Sequence, residues 1–117
     1  MARLFKNKLA RKYGCCISET ADIGGGLIMD HPTGIVIGEN VTIGRNVVIY
    51  QHVTIGRKDR KRPEYPTIGS GVVIYVGAVV IGAVNIGNGT VIGANSVVAT
   101  DTETDSIYCG IPARRVK

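Results

Sequence analysis

Aliphatic residues recur at every sixth position along most of this 117-residue chain. The series has a two-residue slip after Met29 and a longer break after Ile55. Its thirteen members are Ile17, Ile23, Met29, Ile37, Ile43, Ile49, Ile55, Ile68, Ile74, Val80, Ile86, Ile92 and Val98. A period of six matches neither the Gly-X-Y repeat of collagen nor the 3.6-residue period of an α-helix. It matches the hexapeptide type of parallel β-helix, in which each six-residue unit is one short strand plus a corner.

The period also sets the size of the fold. Three six-residue units close one triangular coil, so thirteen units predict about four coils, enough for neighbouring coils to bury one another. Sixteen glycines, with only one Phe, five Tyr and no Trp, agree with a repetitive all-β chain and not with a helical bundle. Handedness does not follow from the period. Since about 98% of ordinary parallel crossovers are right-handed, sequence physics alone favours a right-handed coil.

The stretch from 67 to 100 contains no Asp, Glu, Lys or Arg, although the chain carries a net charge of +5. Its most apolar run, GVVIYVGAVVIGAV, is shorter than the roughly 20 residues of a membrane-spanning helix. In strands, alternate side chains face outwards. An uncharged outer surface therefore indicates coverage by another subunit, and we predict a homo-oligomer.

Residues 1–14, MARLFKNKLARKYG, form a basic N-terminal segment. Phe5, Leu9 and Tyr13 recur at i, i+4 and i+8, which predicts a short helix with one apolar stripe. Two roles are open for it: capping the end of the solenoid, and weak contact with an anionic membrane surface. The segment lacks the apolar core of about seven or more residues that a secretory signal has, which favours a cytoplasmic location.

Cys15, Cys16 and Cys109 are an odd number of cysteines without CxxC spacing. This pattern signals neither a disulfide framework nor a zinc site, so we expect reduced thiols and no metal. Nucleic acid is not an expected partner, because the positive net charge comes without an aromatic stacking platform or a recognition motif.

Four motifs in a fixed order give the chain a more specific likeness. They are GxxMDHPTGIVIG (26 to 38), VTIG (53 to 56), IGANSVV (92 to 98) and GIPARRV (110 to 116). Together with the repeats and an interrupting loop, 57–67, they resemble the hexapeptide-repeat acetyltransferases. The likeness is strongest to serine acetyltransferases and to the related polysaccharide O-acetyltransferases. It covers residues 16 to 117, so we divide the chain into the segment 1–14 and a β-helix acetyltransferase domain, 15–117.

The resemblance implies a left-handed parallel β-helix that assembles as a homotrimer, with active sites between neighbouring subunits. It also implies acetyl-CoA as the donor and a hydroxyl group as the acceptor. Conversion of L-serine to O-acetylserine is the first hypothesis. A sugar or polysaccharide hydroxyl is the alternative acceptor, and a non-catalytic β-helix scaffold is the second alternative.

His31, in the pair Asp30-His31, matches the family's catalytic histidine. An alcohol attacks a thioester poorly until its proton is removed, and an imidazole, with an ordinary pKa of about 6.5, suits that task at neutral pH. The resemblance also implies an upstream carboxylate that fixes the tautomer of the imidazole, where this chain has Cys16. Asp30 is a second catalytic candidate whose role is open. A backbone carbonyl or a carboxylate of a neighbouring chain are other groups that could orient the ring.

Two more residues are candidates for the acceptor pocket. Tyr65 stands where the resemblance implies a second histidine. The stretch YQHVTIG, which contains His52, resembles sequences found in several polysaccharide O-acetyltransferases. With coils of 18 residues and the two-residue slip, position 51 stacks over position 31, so His52 is expected about one residue from alignment with His31. A solvent-facing or interface histidine is the other interpretation of His52.

These departures bear on the choice of acceptor. Cys16, Tyr65 and His52 favour a sugar, as does the short segment ahead of the coils. Serine is favoured because it is the acceptor most often associated with the family that the chain resembles.

By resemblance, the donor lies in a groove parallel to the coil axis. Its pantetheine amides are expected to meet the backbone near Gly77 and Ala94, and its nucleotide to lie near Arg114 and Arg115. The sequence RKDRKRPEYP, 57 to 66, has two interpretations: a clamp for the phosphates of CoA or for an anionic acceptor, and a solvated loop.

Overall fold

The computed structural model describes residues 14 to 117. The helix and the membrane contact predicted for the N-terminal segment fall on residues 1 to 13 and lie outside the described residues. In the described chain, all regular structure is β. The first thirteen strands are two or three residues long, because the chain turns a corner after nearly every inward-facing aliphatic residue.

The strands follow one another around a triangular prism. The first coil consists of β1 (Cys16–Ile17), β2 (Asp22–Ile23) and β3 (Ile28–Met29), and the second of β4 (Val36–Ile37), β5 (Thr42–Ile43) and β6 (Val48–Ile49). The third consists of β7 (Thr54–Gly56), β8 (Thr67–Ile68) and β9 (Val73–Ile74), and the fourth of β10 (Val79–Ile81), β11 (Asn85–Ile86) and β12 (Val91–Ile92). A further, incomplete coil contains β13 (Val97–Val98) and β14 (Ile107–Gly110), and the chain turns back through β15 (Ala113–Arg115).

Strands at equivalent positions of successive coils pair in parallel and form the three faces of the prism. Sheet A contains β1, β4, β7, β10 and β13, sheet B contains β2, β5, β8 and β11, and sheet C contains β3, β6, β9, β12 and β14. At the edge of sheet C, β15 pairs antiparallel with β14. The prediction of an all-β chain with four stacked coils is confirmed.

The pairing register locates both interruptions of the repeat. Partner residues are normally 18 positions apart, as Val36 and Thr54 are. The offset is 20 between Cys16 and Val36 and 25 between Thr54 and Val79. The two extra residues of the slip therefore lie in the first coil, and the seven of the longer break lie in the third. The loop predicted at 57–67 ends at residue 66, since Thr67 already belongs to β8.

The core of the prism is a set of aliphatic ladders. The repeat residues from Ile37 to Val98 are at most 3% exposed. The residue two positions earlier also points inwards, so that Val47 and Val72 are fully buried and Ser96 takes the same place nearer the C-terminus. Full burial of one such aliphatic side chain is worth about 1.5 to 3 kcal/mol. In the first coil, Ile23 and Met29 are only half-buried.

The outer faces of the three sheets differ in polarity. The outward-facing strand residues are Cys16, Val36, Thr54, Val79 and Val97 on sheet A, Ile28, Val48, Val73, Val91 and Ile107 on sheet C, and Asp22, Thr42, Thr67 and Asn85 on sheet B. Sheets A and C are thus predominantly apolar outside, whereas sheet B is polar. Among residues 14 to 117, no helix is long and apolar enough to cross a membrane.

Strand β8 offers a direct test of the inward ladder. Replacing Ile68, which is 1% exposed, by Ala is expected to lower the free energy of unfolding by about 2 to 5 kcal/mol, because a cavity is left between two coils. Thr67→Ala, on the same strand but facing outwards, is the matched control and should change it by less than about 0.5 kcal/mol. Urea unfolding at one protein concentration measures both, and equal losses would contradict the assigned core.

Candidate active site

His31 lies on the edge of the prism where sheet C is followed by sheet A. This C/A edge consists, in successive coils, of residues 30 to 34, 50 to 52, 75 to 77 and 93 to 95. The edge therefore brings His31, His52, Gly77 and Ala94 to the same side of the prism in four successive coils. Sequence reasoning had assigned these four residues to the base, the acceptor pocket and the donor groove.

The slip makes the corner that carries His31 bulge. Met29 still pairs with Ile49 in the next coil, and pairing resumes where the His52 N–H donates to the Thr33 carbonyl over 2.8 Å. Between these points the first coil has residues 30 to 33, whereas the second has only 50 and 51. Because the core has no room for extra residues, the bulge points outwards and His31 is exposed.

Local backbone conformation shapes this bulge. His31 has a φ of +53°, in the left-handed region that most side chains avoid. The Thr33 N–H donates to the His31 carbonyl over 2.6 Å, which closes a tight turn after the histidine. The backbone N–H of Asp30 donates to the Ile49 carbonyl over 3.1 Å, and the residue itself is exposed.

His52 stacks on Gly34 and not directly above His31. A Cβ built on Gly34 would lie 2.5 Å from Nδ1 of His52, and Gly34 has a φ of +63°. Glycine is thus needed at position 34 both for its backbone conformation and for the space that the imidazole occupies. The register differs from the sequence expectation because the two extra residues lie between Met29 and Gly34.

A buried thiol forms a hydrogen bond with the backbone of the bulge. Cys15 is fully buried, and its Sγ donates a hydrogen bond to the Pro32 carbonyl over 3.0 Å. The next residue, Cys16, faces outwards from sheet A. Cys15, Cys16 and Cys109 form no disulfide with one another. Sequence reasoning missed the contact of Cys15, since an aliphatic repeat gives no signal for a thiol below a corner.

Gln51 lies in the second coil at the level of the bulge. Its backbone carbonyl accepts a hydrogen bond from the Gly77 N–H over 3.0 Å. Its side-chain Oε1 is buried and accepts no hydrogen bond from the described residues, the one such buried side-chain atom between 14 and 117. Next to it, the rings of Tyr50 and Tyr75 stack with centroids 4.9 Å apart and an interplanar angle of 13°. These three side chains were not predicted to belong to the site.

The backbone groups expected to meet the donor differ in availability. The Gly77 N–H is used by Gln51, whereas the Ala94 N–H has no partner in the described part of the chain. Ala94 is exposed on the same edge, one coil further on. An amide carbonyl of a ligand along this edge would therefore find a free N–H at Ala94, while Gly77 would offer its carbonyl.

The two C-terminal arginines lie on β15, antiparallel to β14. Arg114 is opposite Cys109 in that pairing, and Sγ of Cys109 in turn covers Gly93 of the C/A edge. The guanidinium of Arg115 pairs with the carboxylate of Glu103. Both arginines are exposed. Of these two, Arg114 is the one that forms no ion pair with any of residues 14 to 117.

Tyr65 lies at the other edge of sheet A, where that sheet is followed by sheet B. Its ring covers Gly38, since a Cβ built there would be 2.8 Å from a ring carbon of Tyr65. Together with Cys16 and Glu39 it lines an open cavity of about 390 Å³. Within one chain, Tyr65 therefore lies against Gly38 of the second coil and is not brought together with His52.

The basic loop 57 to 66 has local order of its own. Asp59 Oδ1 accepts hydrogen bonds from the backbone N–H groups of Lys61 and Arg62, over 2.9 and 3.0 Å. Lys58 and Arg62 line a cavity of about 200 Å³ together with Glu64 and the corner after β10. The ion pair between Arg62 and Asp59 is exposed, at 3.9 Å, and adds little stability.

Comparison with known proteins agrees with this fold. The chain is 40% identical over 113 residues to the serine acetyltransferase of Buchnera aphidicola, covering 95% of this chain and 41% of that protein. It is 46% identical over 105 residues to the serine acetyltransferase of Staphylococcus aureus strain Mu50, covering 89% and 49%. The chain thus spans about half the length of these relatives. No protein-family model matches the sequence.

Solved structures give the same result. Soybean serine acetyltransferase complexed with serine superposes with a TM-score of 0.88 at 40% identity, over 95% of this chain and 46% of that one. The Brucella abortus serine acetyltransferase in complex with coenzyme A superposes with a TM-score of 0.90 at 32% identity, over 95% and 45%. Because mirror-image coils do not superpose, these matches also decide the handedness.

The fold is the left-handed parallel β-helix found in the hexapeptide-repeat acyltransferases. The right-handed coil favoured by general crossover statistics is excluded. Within this class, the homologues of the chain are serine acetyltransferases.

Gly34 tests the geometry of the edge. Gly34→Ala is expected to lower the free energy of unfolding by about 2 kcal/mol or more, because it combines a left-handed φ with a clash against His52. Gly25→Ala in the same coil is the matched control, since a Cβ at Gly25 meets nothing within 4 Å. Urea unfolding measures both variants. A Gly34 variant as stable as the Gly25 variant would contradict the stacking of His52 on Gly34.

Proposed function

We propose that this protein is an acetyl-CoA-dependent O-acetyltransferase that converts L-serine to O-acetylserine. The observation that carries the proposal is the exposed His31 on a bulged corner, in a β-helix whose relatives are serine acetyltransferases. Similar structures contain serine in one case and coenzyme A in another. Since the chain spans about half of those proteins, we assign the activity from the site and not from the whole-length match.

In the proposed reaction, His31 is the general base. Its neutral imidazole takes the proton of the acceptor hydroxyl, and the oxygen forms a bond to the acetyl carbonyl carbon of acetyl-CoA. The carbon–sulfur bond then breaks, and the CoA sulfur takes the proton from the His31 imidazolium and leaves as a thiol, which restores the neutral imidazole. A positioned base of this kind contributes about 10²- to 10⁴-fold to the rate. Asp30, the adjacent exposed carboxylate, is kept as the second catalytic candidate.

The donor is proposed to lie along the C/A edge. The free N–H of Ala94 and the carbonyl of Gly77 are groups that can pair with pantetheine amides. Arg114 and Arg115 lie at the end of sheet C beyond this edge, where they can attract the phosphates of the nucleotide. Arg115 already has Glu103 as a partner, so Arg114 is the stronger candidate for a phosphate contact.

We also propose a homotrimer in which the C/A edge lies at an interface. The two apolar outer faces, sheets A and C, flank that edge, whereas the third face is polar. Apolar faces of this kind are normally covered by another subunit. Tyr65 and His31 lie on opposite edges of sheet A, so they can share an acceptor pocket with His52 only if two copies of the chain meet. A cytoplasmic location is part of the same proposal.

Thiol release from acetyl-CoA tests the reaction. With serine as acceptor, His31→Ala is expected to lower kcat by about 10²-fold or more, because the hydroxyl is no longer deprotonated. His52→Ala serves as the comparison variant on the same edge, and a smaller loss is expected from it. Equal rates for the wild type and His31→Ala would remove His31 from the mechanism.

A panel of acceptors separates the alternatives. Activity with sugar hydroxyls in place of serine would assign the sugar acceptor that Cys16 and Tyr65 favoured. If no acceptor gives thiol release, and calorimetry shows no binding of CoA at millimolar concentration, the non-catalytic scaffold is the one hypothesis that remains.

The apolar faces give a separate prediction on assembly. Val73→Arg, outward on sheet C, is expected to shift the protein towards monomer, because a charge would be buried between subunits. Thr42→Arg on the polar face of sheet B is the matched control and should leave the assembly unchanged. Sedimentation velocity at micromolar concentration measures both. A monomeric wild type would contradict the proposed trimer.

A further inference from the structure

The buried side-chain oxygen of Gln51 has no donor in the described structure. Leaving a buried acceptor without its hydrogen bond costs about 1 to 3 kcal/mol, and such groups are rare in native proteins. Among residues 14 to 117, no other buried side-chain nitrogen or oxygen lacks a partner. At another corner of the prism, Asn88 Oδ1 accepts from the Ser70 N–H over 2.8 Å. The missing donor of Gln51 Oε1 therefore needs an explanation that is specific to position 51.

The register puts this oxygen at the level of the catalytic candidate. Pairing of Met29 with Ile49 on one side, and the bond from His52 to Thr33 on the other, bracket the bulge. Within that bracket, the next coil contributes only Tyr50 and Gln51. Both residues therefore lie opposite the bulge that carries His31, and of the two it is Gln51 that has a buried oxygen without a donor among the described residues.

Among the residues that the structure describes, Gln51 Oε1 lacks a donor, and the imidazole of His31 lacks an acceptor. A general base must present one bare ring nitrogen to its substrate, so its other nitrogen carries the hydrogen and needs an acceptor that fixes this tautomer. Among residues 14 to 117, the imidazole of His31 makes no side-chain hydrogen bond, and the outward-facing thiol of Cys16 is at most a weak acceptor. An N–H without an acceptor and a buried oxygen without a donor thus lie at one corner.

We propose that Gln51 is a positioning residue for His31, with Oε1 accepting a hydrogen bond from the imidazole N–H so that the opposite ring nitrogen faces the acceptor hydroxyl. This role rests on the function proposed above. An amide oxygen holds the tautomer as a carboxylate does, but it adds no negative charge that would favour the protonated ring. The geometry assigns the role to a residue of the same chain in the adjacent coil.

Imidazole nitrogen spectra test the bond without any turnover. The chain has only two histidines, and His52→Asn leaves His31 as the one signal. Asparagine suits position 52 because it tolerates the φ of +59° found there. In this background, at a pH where the ring is neutral, the ¹⁵N shifts should show one dominant tautomer. Gln51→Leu should move them towards the mixture of a free imidazole, whereas Gln51→Glu, which keeps the acceptor oxygen, should preserve the dominant tautomer.

Asn88→Leu is the matched control. It also removes a hydrogen-bonding amide from a corner, but on the edge between sheets B and C, and it should lower stability without changing the His31 spectrum. Unchanged shifts in Gln51→Leu would overturn the proposal. So would an equal change in Asn88→Leu, because the effect would then be a general loss of structure.

Kinetics of the full chain give the second measurement. Gln51→Leu is expected to lower kcat about tenfold or more, and less than His31→Ala does, while KM for acetyl-CoA stays within about twofold. Gln51→Glu should retain more activity than Gln51→Leu. Added to His31→Ala, Gln51→Leu should cause no further loss, since a positioning residue has nothing left to position. Additive losses would overturn the assignment. Absence of acetyl transfer by the wild type would contradict the proposed function, and the spectra would still decide the hydrogen bond.

Discussion

The stacking of one coil on the next limits where every other feature of this protein can lie. Each short strand gives its backbone hydrogen bonds to the equivalent strand of a neighbouring coil, and each inward aliphatic residue packs on its equivalents above and below. The two requirements must hold together, since strands of two residues are too short to be stable by themselves. They leave no space inside the prism for an additional residue.

Polar groups of the proposed site therefore lie where the repeat is interrupted. The two extra residues of the first coil cannot enter the core, so they push His31 outwards on a strained corner. The seven extra residues of the third coil form the basic loop and bring Tyr65 against sheet A. In both places the regular coils on either side hold the ends of the insertion, which positions exposed polar groups on a rigid support. The buried thiol of Cys15 strengthens that support below the histidine.

The unequal faces of the prism connect this site to assembly. A regular repeat permits three similar faces, but here apolar residues cover sheets A and C outside, and polar residues cover sheet B. The edge between the two apolar faces carries His31, His52 and the backbone groups assigned to the donor. Tyr65 is on the far edge of sheet A. A pocket that uses all of these residues is incomplete in one chain, which ties the proposed activity to the proposed trimer.

The coils, the core ladders and the corner position of His31 could be predicted from the sequence, because a six-residue period with buried aliphatic residues fixes which residues face inwards and where the corners fall. The sequence also indicated the homologous family through motifs around His31 and Pro112. Handedness came from the superposition on solved structures. The contact of His52 with Gly34, the hydrogen bond of Cys15 and the unpaired Oε1 of Gln51 became apparent only in the folded chain. These contacts depend on where the two extra residues bulge. The repeat pattern shows that residues were added, but it does not show which neighbouring residues the bulge contacts.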